Sequence, residues 1–409
     1  MTGAGGGATI TGLGLVTPAG SGADENWRRL LSGVSAAAPD PELKDVEVDF
    51  SCRVPDFDAN ALLGRRTAWR LDRFVQLAVV AARQAVADAG LGPGTWDAAR
   101  VGVVLGNSLG GTSTFEAQHR TYYGGAPEDL SPLMIPMGMV NMVAGYVAMD
   151  LGALGPSLVT ATACASGAAA IGTARDWLAN GLCDVVLAGG TESALTPATM
   201  TGLARMGALS VRRDEPAAAS RPFAADRDGF VAGEGAAVLV LERERDARAR
   251  GARRYAAVAG FGAASDAYHA TAPHPEGAGL ERALRTALAD ADVSPADVGP
   301  VNAHGTSTPM NDLTEARALH RVLGSGAAVT STKGVTGHTL AAAGAIEAAY
   351  TALALCHGAV PPTANVREVD PEVAVDVVTG GPRTAPLDVA VSTSLGFGGH
   401  NAALVLTAA

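Results

Sequence analysis

The sequence contains one strand–turn–helix pattern twice, and this repeat constrains the fold more than any other feature. Residues 8–18 (ATITGLGLVTP) resemble residues 257–266 (AVAGFGAASD), each an apolar strand with a G-x-G element. In the same order, residues 159–172 (VTATACASGAAAIG) resemble residues 329–346 (VTSTKGVTGHTLAAAGAI), each a strand, a glycine turn and an alanine-rich helix. This order predicts two related halves, with an active site where they meet.

Apolar strands alternate with alanine-rich helices along the rest of the chain. Residues 101–105 and 184–190 are short apolar runs of the kind that form buried strands, the second ending in two glycines. Residues 165–180 and 280–290 are predicted helices, and Gly181 closes the first. The alternation predicts a layered α/β fold.

Composition and charge narrow the possible partners. With 48% apolar residues and 4% aromatics, a large core must be built mainly from Ala, Val and Leu. A net charge of −11 argues against a general nucleic-acid binder. Four arginines within nine residues form a local basic patch, which fits either an acidic partner or a solvated helix face: Arg65, Arg66, Arg70 and Arg73.

Targeting and membrane signals are weak. The first residues lack the basic and apolar regions of a secretory signal. Residues 133–149 are the most membrane-like stretch, but Asn141 interrupts them and they are shorter than an ordinary span. They predict a buried or interfacial helix. We therefore expect a cytoplasmic protein with no membrane partner.

Cys164 is the candidate nucleophile. It lies in TACASG (residues 162–167), where a β-branched run gives way to a helix of small residues. The positive end of that helix favours a thiolate, and its first N–H groups can stabilise an oxyanion at a thioester carbonyl. The other cysteines lie far apart, without disulfide or zinc spacing, and are expected to be buried and inert: Cys52, Cys183 and Cys356.

Two histidines accompany this thiol. His304 in NAHGTSTP (residues 302–309) is predicted to be displayed in a polar, glycine-bearing loop, and His338 in KGVTGHTL (residues 333–340) precedes another helix. The remaining six are expected to be structural: His119, His269, His274, His320, His357 and His400.

Two further features lie near these segments. Lys333 and Glu347 are predicted to form a buried ion pair, whose catalytic or structural role the spacing leaves open. In STSLGFGGHN (residues 392–401), Phe397 is either a movable gate or part of a plain reversal before a strand. The G-x-G patterns do not complete a dinucleotide-binding fingerprint.

These motifs together resemble the β-ketoacyl-acyl carrier protein synthases, specifically their elongating type II branch. The resemblance covers essentially the whole chain. It rests on six segments: residues 10–18 (ITGLGLVTP), 162–167 (TACASG), 226–235 (DRDGFVAGEG), 303–312 (AHGTSTPMND), 333–338 (KGVTGH) and 396–401 (GFGGHN).

The resemblance implies a thiolase fold, in which two pseudo-symmetric halves form five αβαβα layers. Residues 1–255 would form the half that carries the nucleophile, and residues 256–409 the half that carries both histidines. It also implies acyl carrier protein as a partner, and usually a homodimer. No metal or organic cofactor is expected, because the substrates travel on the phosphopantetheine arm of the carrier.

The resemblance also implies roles. Cys164 would hold the acyl chain as a thioester, with its own N–H and that of Phe397 as the oxyanion hole. His304 and His338 would hydrogen-bond the malonyl thioester carbonyl while decarboxylation produces the carbanion for a Claisen condensation. The supporting residues are Lys333 and Glu347 for electrostatics, Leu109 and Phe230 for the acyl pocket, and Thr306 and Thr308 for the phosphopantetheine arm.

Some positions depart from the family pattern. Arg70 matches a basic position that docks the carrier, and Arg65 and Arg66 are candidates beside it. Trp69 and Gly207, however, stand where basic residues are frequent. Docking to an unusual carrier protein is therefore expected, and the pocket segment LGGTSTF (residues 109–115) assigns no chain length.

Alternatives remain for assembly and pathway. A non-condensing chain-length factor is disfavoured because the nucleophile and both histidines are intact, but the chain could be the catalytic half of a heterodimer with one. A thiolase acting on coenzyme A thioesters is less consistent, because residues 396–401 lack a second catalytic cysteine. Primary fatty-acid elongation and a specialised polyketide or polyene pathway both stay open, with a lean to the latter.

Overall fold

The structure is a computed structural model and describes residues 7–409. Its strands are β1 (Ala8–Thr17), β2 (Gly20–Ser21), β3 (Ala38–Pro39), β4 (Phe50–Ser51), β5 (Val101–Gly106), β6 (Ser157–Thr160), β7 (Val185–Glu192), β8 (Gly235–Arg243), β9 (Ala256–Ser265), β10 (Pro300–Asn302), β11 (Ala328–Thr330), β12 (Ala359–Val360), β13 (Asp376–Val377), β14 (Arg383–Thr384), β15 (Val389–Gly396) and β16 (His400–Thr407).

The α-helices are α1 (Ala23–Ser32), α2 (Ala59–Leu63), α3 (Arg65–Ala68), α4 (Arg73–Asp88), α5 (Thr112–Tyr123), α6 (Met134–Gly138), α7 (Met142–Leu151), α8 (Ser166–Ala179), α9 (Pro197–Arg205), α10 (Glu244–Ala249), α11 (Ala278–Asp290), α12 (Pro309–Leu323), α13 (Lys333–Thr336) and α14 (Ala343–His357). Short 3₁₀ helices connect several of these, and Ala163–Ala165 leads directly into α8.

The main strands form two sets that meet at β1 and β9. The first set runs β1-β8-β7-β5-β6 and the second β9-β16-β15-β10-β11-β13. Only three residue pairs join β1 to β9, all at the start of β1. Each set mixes parallel and antiparallel pairs, for example β5 parallel to β7 and β7 antiparallel to β8.

Helices cover both sets and fill the space between them. Helices α4 and α7 pack on the outer side of the first set, and α11 and α12 cover the second. Helices α8 and α14 contact each other and strands of both sets, so they form the middle layer. The five αβαβα layers of the thiolase fold are therefore confirmed.

The repeated G-x-G element makes the same close approach in each half. A Cβ atom at Gly12 or Gly14 would lie 2.2 or 1.8 Å from a carbonyl oxygen of α4. At Gly260 and Gly262 the corresponding distances to carbonyl oxygens of α11 are 2.2 and 2.1 Å. Only glycine permits these strands and helices to pack so closely. The sequence repeat is thus a repeat of strand–helix packing.

In each half, a matching side-chain hydrogen bond also joins the strand to the helix. Asp88, the last residue of α4, accepts from the backbone N–H of Leu13 at 2.9 Å. Asp290, the last residue of α11, accepts from the N–H of Phe261 at 2.9 Å. The two halves therefore share detailed contacts as well as topology.

Two expectations about apolar segments need correction. Residues 133–149 are not one helix, because α6 ends at Gly138 and α7 begins at Met142. The described helical stretch that is long and apolar enough to cross a membrane is instead Leu340–His357, and 83% of it is buried inside the protein. Because it contacts strands on both sides, it is a core helix.

Candidate active site

Cys164 sits at a tight elbow before α8. Ala163 has a φ of 49°, and the Ser166 hydroxyl donates to its carbonyl oxygen at 2.6 Å. The same hydroxyl accepts from the backbone N–H of Thr162 at 2.9 Å. These bonds fix the thiol at the start of a helix, as the small residues of the segment predict.

His338 reaches this thiol from the second half of the chain. Its Nε2 lies 3.1 Å from Sγ of Cys164, and its backbone N–H donates to Val231 at 2.7 Å. The preceding Gly337 has a φ of 64°, and a Cβ there would lie 2.8 Å from Sγ of Cys52. Glycine is therefore required for the turn that delivers the imidazole.

His304 completes the group but is not displayed as predicted. It is only 2% exposed, because the loop after β10 folds over a buried carboxylate. Glu315 accepts from the N–H of His304 at 2.8 Å and from that of Gly305 at 2.7 Å. The Thr393 hydroxyl donates to the same carboxylate at 2.7 Å. The histidine is thus held by its backbone.

The three side chains converge in one buried cluster. The sulfur of Cys164 and one ring nitrogen from each histidine all lie within 4.8 Å of one another. The rings of His304 and His338 meet edge to face, with centroids 5.1 Å apart. Such atoms can ligate a soft metal ion, but the nearby Lys333 ammonium opposes a second cation. The cluster is better suited to nucleophilic chemistry.

Burial dominates the acidity of the thiol. It raises the pKa of Cys164 to about 12, while the Lys333 charge and the N–H of Phe397 act in the opposite direction. Burial therefore opposes the thiolate that the helix N-terminus, the Lys333 charge and the N–H of Phe397 favour. The neighbouring imidazole is placed to accept the thiol proton during attack on the substrate.

Both imidazoles are neutral near pH 7. Burial, followed by the Lys333 charge, holds the pKa of His304 and of His338 well below its ordinary value. A neutral imidazole offers one N–H donor and one acceptor nitrogen. The pair can therefore accept a proton or donate hydrogen bonds to a carbonyl oxygen.

Lys333 and Glu347 form the buried ion pair that the sequence suggests. Their side chains are 1% and 2% exposed, and the ammonium donates to Oε1 of the carboxylate. Burial raises the pKa of Glu347 to about 7, against the lowering effect of Lys333. The Lys333 charge also acts on the thiol and on both imidazoles, so the pair supplies the electrostatics of the site.

A cavity of about 880 Å³ opens onto this cluster. Its lining includes every residue predicted to contact the acyl chain or the phosphopantetheine arm: Leu109, Phe230, Thr306 and Thr308. Phe397, predicted for the oxyanion hole and as a gate, lines it too. The Thr306 and Thr308 hydroxyls lie 2.9 Å apart, and the Phe230 ring meets that of His338 edge to face at 5.2 Å. The predicted binding residues thus share one cavity with the cysteine and both histidines.

The loop with Phe397 closes one side of the cavity. Its side chain is 38% exposed, and its N–H points to the thiol. The following Gly398 donates to Ala270 at 2.7 Å, while Gly399 accepts from Asp266 at 2.8 Å. Backbone contacts therefore hold this loop against the segment that contains Asp266 and Ala270, and Phe397 lines the cavity together with Gly396 and Gly399.

Comparison with known proteins identifies the family. The family model described as "Beta-ketoacyl synthase, N-terminal domain" matches residues 8–247. The model described as "Beta-ketoacyl synthase, C-terminal domain" matches residues 255–367. The chain belongs to the beta-ketoacyl synthase family. A relative named 3-oxoacyl-[acyl-carrier-protein] synthase 2, from Synechocystis sp. (strain ATCC 27184 / PCC 6803 / Kazusa), is 45% identical over 97% of this chain and 96% of its own length.

Solved structures agree with this assignment. The ishigamide ketosynthase/chain length factor superposes with a TM-score of 0.93 and 33% identity, over 99% of both chains. The AntDE:AntF complex, a type II PKS acyl-carrier protein with its ketosynthase bound to the hexaketide, superposes with a TM-score of 0.91 and 32% identity, also over 99% of both chains. The fold predicted from the motifs is the fold of these synthases.

The arginines expected to dock a carrier lie outside the cavity of this synthase. Arg65, Arg66 and Arg70 are exposed, and the Arg70 guanidinium stacks over Trp69 at 5.4 Å. Arg73, the fourth member of the basic patch, is instead bound to the fully buried Glu234 by a bidentate ion pair. The prediction that Arg73 belongs to the basic patch is therefore wrong.

Sequence reasoning missed the buried carboxylates that hold the site. Glu315 positions His304, and Asp312 accepts from the N–H groups of Phe223 and Ser307. The available signal was the acidic residue that follows an apolar strand in GGTE (residues 189–192) and the two acidic residues that follow the His304 loop in PMNDLTE (residues 309–315). Among the cysteines assumed to be buried, Cys356 is exposed.

Proposed function

We propose that this protein is a β-ketoacyl-acyl carrier protein synthase that extends a Cys164-bound acyl chain by decarboxylative Claisen condensation with a malonyl carrier thioester. One observation carries the proposal. A buried thiol lies 3.1 Å from a neutral imidazole, beside a second imidazole, at the cavity formed between the two halves. This is the arrangement that acyl transfer followed by carbanion stabilisation needs.

The first step would load Cys164. Its sulfur attacks the carbonyl carbon of an acyl carrier thioester while the thiol proton passes to Nε2 of His338. The N–H groups of Cys164 and Phe397 face the oxygen that becomes negative. When the carbon–sulfur bond to the carrier breaks, the carrier thiolate takes up the proton and leaves, so that the acyl chain remains on Cys164.

The second step would form the carbanion. For this step the neutral His338 ring carries its proton on Nε2, having exchanged it from Nδ1 after loading. The malonyl thioester carbonyl lies between this N–H and that of His304, which stabilise the enolate as the bond to the carboxylate breaks and CO₂ leaves. The enolate carbon then attacks the acyl–Cys164 carbonyl. The bond from that carbonyl to the sulfur breaks, and the Cys164 thiolate takes up one proton from water, which balances the charge left by the loss of CO₂. A β-ketoacyl carrier thioester two carbons longer leaves.

The chemistry is proposed to use side chains and backbone alone, with the acyl carrier protein bringing both substrates. Thr306 and Thr308 would contact the phosphopantetheine arm, and Arg65, Arg66 and Arg70 would meet the carrier surface. The halves are proposed to divide at residues 1–255 and 256–409. A cytoplasmic location is proposed, consistent with Leu340–His357 being a core helix.

The proposed assembly with a second synthase-like subunit is based on β6, the strand at the edge of the first strand set. Strand β6 ends the strand order and pairs with β5, and three exposed large apolar residues lie in β6 or in the segment that precedes it: Met149, Leu154 and Leu158. An exposed apolar strand edge invites pairing with another chain. A homodimer is the first proposal, and the ishigamide ketosynthase/chain length factor similarity favours a heterodimer with a chain-length factor as the second.

Intact-mass measurement tests the loading step. The protein is incubated with acyl carrier thioesters of several chain lengths, beside the Cys164→Ala variant. We expect the acyl mass on the wild type only. If both proteins acquire it, the assignment of Cys164 is wrong. If neither does with any carrier thioester, the homodimer proposal is withdrawn, and the measurement is repeated with a co-expressed chain-length factor.

A coupled measurement tests the condensation. Malonyl carrier thioester is added to acylated enzyme, and the product is identified by mass as the β-ketoacyl carrier. Purifying the chain alone, and separately with a co-expressed chain-length factor, distinguishes the homodimer from the heterodimer. Full activity of the isolated chain as a dimer supports the homodimer, and activity only with the second subunit supports the heterodimer.

A further inference from the structure

Glu192 is a buried carboxylate for which the proposed catalytic steps give no role. It ends β7 with no exposed surface and accepts four hydrogen bonds from one short segment. Oε1 accepts from the Asn107 amide at 2.9 Å. Oε2 accepts from the Ser108 hydroxyl at 2.9 Å and from the N–H groups of Ser108 and Leu109 at 3.2 Å each. Such a cluster fixes a backbone.

The segment held by Glu192 is a wall of the acyl cavity. Ser108 and Leu109 both line the cavity that contains Cys164, and the Leu109 side chain is 46% exposed to it and to solvent. Asn107 continues the clamp, because its Oδ1 accepts from the N–H of Gly110 at 3.0 Å. The carboxylate therefore acts on the wall through the backbone of three successive residues.

The far end of the same segment is also clamped. The N–H of Gly111 donates to Gly138 at 3.0 Å, and a Cβ at Gly111 would lie 2.6 Å from the carbonyl oxygen of Met137. Asp72 accepts from the N–H and the hydroxyl of Thr114 at 3.0 and 2.6 Å. Residues 107–114 thus have little freedom to yield when a longer chain enters.

We infer that Glu192 is a positioning residue, which fixes Ser108 and Leu109 against the cavity and thereby sets the length of acyl chain that Cys164 accepts. The inference rests on the proposed function, since it requires an acyl chain on that cysteine. An apolar pocket discriminates one methylene by about 10- to 200-fold, which requires a wall that holds its position.

Glutamine is the informative replacement for Glu192. It has the same shape, but its NH₂ group cannot accept from an N–H or a hydroxyl, so at least one clamp contact becomes a donor–donor conflict. Burial raises the pKa of Glu192 to about 7, and its four hydrogen bonds act against this effect. These donors stabilise the ionised carboxylate of Glu192, and glutamine cannot imitate that ionised group.

Glu234 provides the matched control. It is also fully buried and accepts from the N–H of Val54, the hydroxyl of Ser193 and the guanidinium of Arg73. None of these three partners lines the acyl cavity described above. Glu234→Gln therefore disturbs a comparable buried carboxylate that accepts no hydrogen bond from Asn107, Ser108 or Leu109.

The experiment is a competition among chain lengths. Full-length wild type, E192Q and E234Q each receive an equimolar mixture of saturated acyl carrier thioesters, and intact mass gives the distribution of chains on the enzyme. Cys164→Ala defines the background, and thermal unfolding is recorded for every variant. The ratio of chains is used because removing the Glu192 charge also alters the thiol and hence the overall rate.

We expect E192Q to shift the ratio of long to short chains by about tenfold, and E234Q to leave it within about twofold whatever its unfolding temperature. Leu109→Ala should shift the ratio in the same direction. In the E192Q/L109A double variant, the change in the logarithm of this ratio should be smaller than the sum of the changes in the two single variants. Both substitutions act through the Leu109 side chain. Full additivity would overturn the inference.

The remaining outcomes are distinguishable. A wild type that no chain acylates, either alone or with a co-expressed chain-length factor, overturns the proposed function and the inference with it. A wild type that selects a chain length, beside an E192Q variant with the same ratio, overturns the inference alone. If E192Q does not fold, Ser108→Ala removes one donor without burying a new polar group. An unchanged ratio in that variant overturns the inference, and a shift in the L109A direction supports it.

Discussion

Nε2 of His338 lies 3.1 Å from Sγ of Cys164, whereas the nearby ring nitrogen of His304 lies within 4.8 Å of that sulfur. The two histidines are therefore not equivalent. One is in hydrogen-bond contact with the nucleophile, and the other is placed to share a substrate oxygen with it. This difference separates the two half-reactions.

Alanine at His338 should slow loading, while alanine at His304 should not. Losing the proton acceptor beside the thiol should lower the single-turnover acylation rate by at least about 100-fold, a usual range for general base catalysis. The His304 variant should load within a few-fold of wild type. Both variants should lose decarboxylation of malonyl carrier thioester, measured as CO₂ release.

The two assays are run on the same preparations, so that misfolding would depress both together. Equal loading defects in the two histidine variants would contradict the assignment. Retained decarboxylation in either histidine variant would also contradict the assignment. Cys164→Ala serves as the control that cannot load.

The neutral histidines should make the protein less stable in mild acid. The pKa of each ring is below its ordinary value, so the unfolded chain takes up protons below pH about 6.5 that the folded protein does not. Stability therefore falls as the pH decreases from there, by about 1.4 kcal/mol per pH unit for each such group. Denaturant unfolding between pH 7 and 5 measures this slope.

His304→Asn removes one of the two groups and should make that slope shallower by about 1.4 kcal/mol per pH unit. His320→Asn is the matched control, because His320 lies on the exposed side of α12. An unchanged slope in the His304 variant would mean that the ring titrates normally in the folded protein.

Removing Lys333 should destabilise the fold as well as the site. Lys333→Met leaves Glu347 buried without its partner, and breaking such a pair costs about 3–5 kcal/mol in proteins. The double variant Lys333→Met/Glu347→Gln has no unpaired charge and should recover most of that stability. It should not recover condensation, because the positive charge beside the thiol and the imidazoles is still missing.

Denaturant unfolding and condensation assays on the two variants separate these effects. Recovery of both stability and activity in the double variant would show that the pair is only structural. This outcome would answer the question that the spacing of the two residues leaves open.

The chemistry-bearing residues could be predicted from the sequence because each lies in a short segment with distinctive glycines. The elbow at Cys164 and the turn before His338 need small residues for steric reasons, and those residues are visible in the chain. The repeated G-x-G element likewise predicted two related halves, since strand–helix packing demands glycine at the same positions in each.

The supports of the site could not be predicted in the same way. Glu315 and His304 are 11 residues apart, but Glu192 meets Leu109 across 83 residues, from the end of a different strand. Nothing local to a glutamate shows which backbone groups it will accept from. The burial of His304 was missed for the same reason, because the carboxylate beneath its loop belongs to a helix that folds back under it.

The repeated glycines give a final prediction about the fold itself. Gly14→Ala and Gly262→Ala each place a Cβ within 2.1 Å of a helix carbonyl oxygen, so each should destabilise the protein by about 3 kcal/mol or more through backbone displacement. Gly145→Ala in α7 meets no atom within 4 Å and should be neutral or stabilising by up to about 1 kcal/mol, because alanine favours the helix. Denaturant unfolding of the three variants checks this. If either strand variant is as stable as Gly145→Ala, close packing is not what requires glycine at that position.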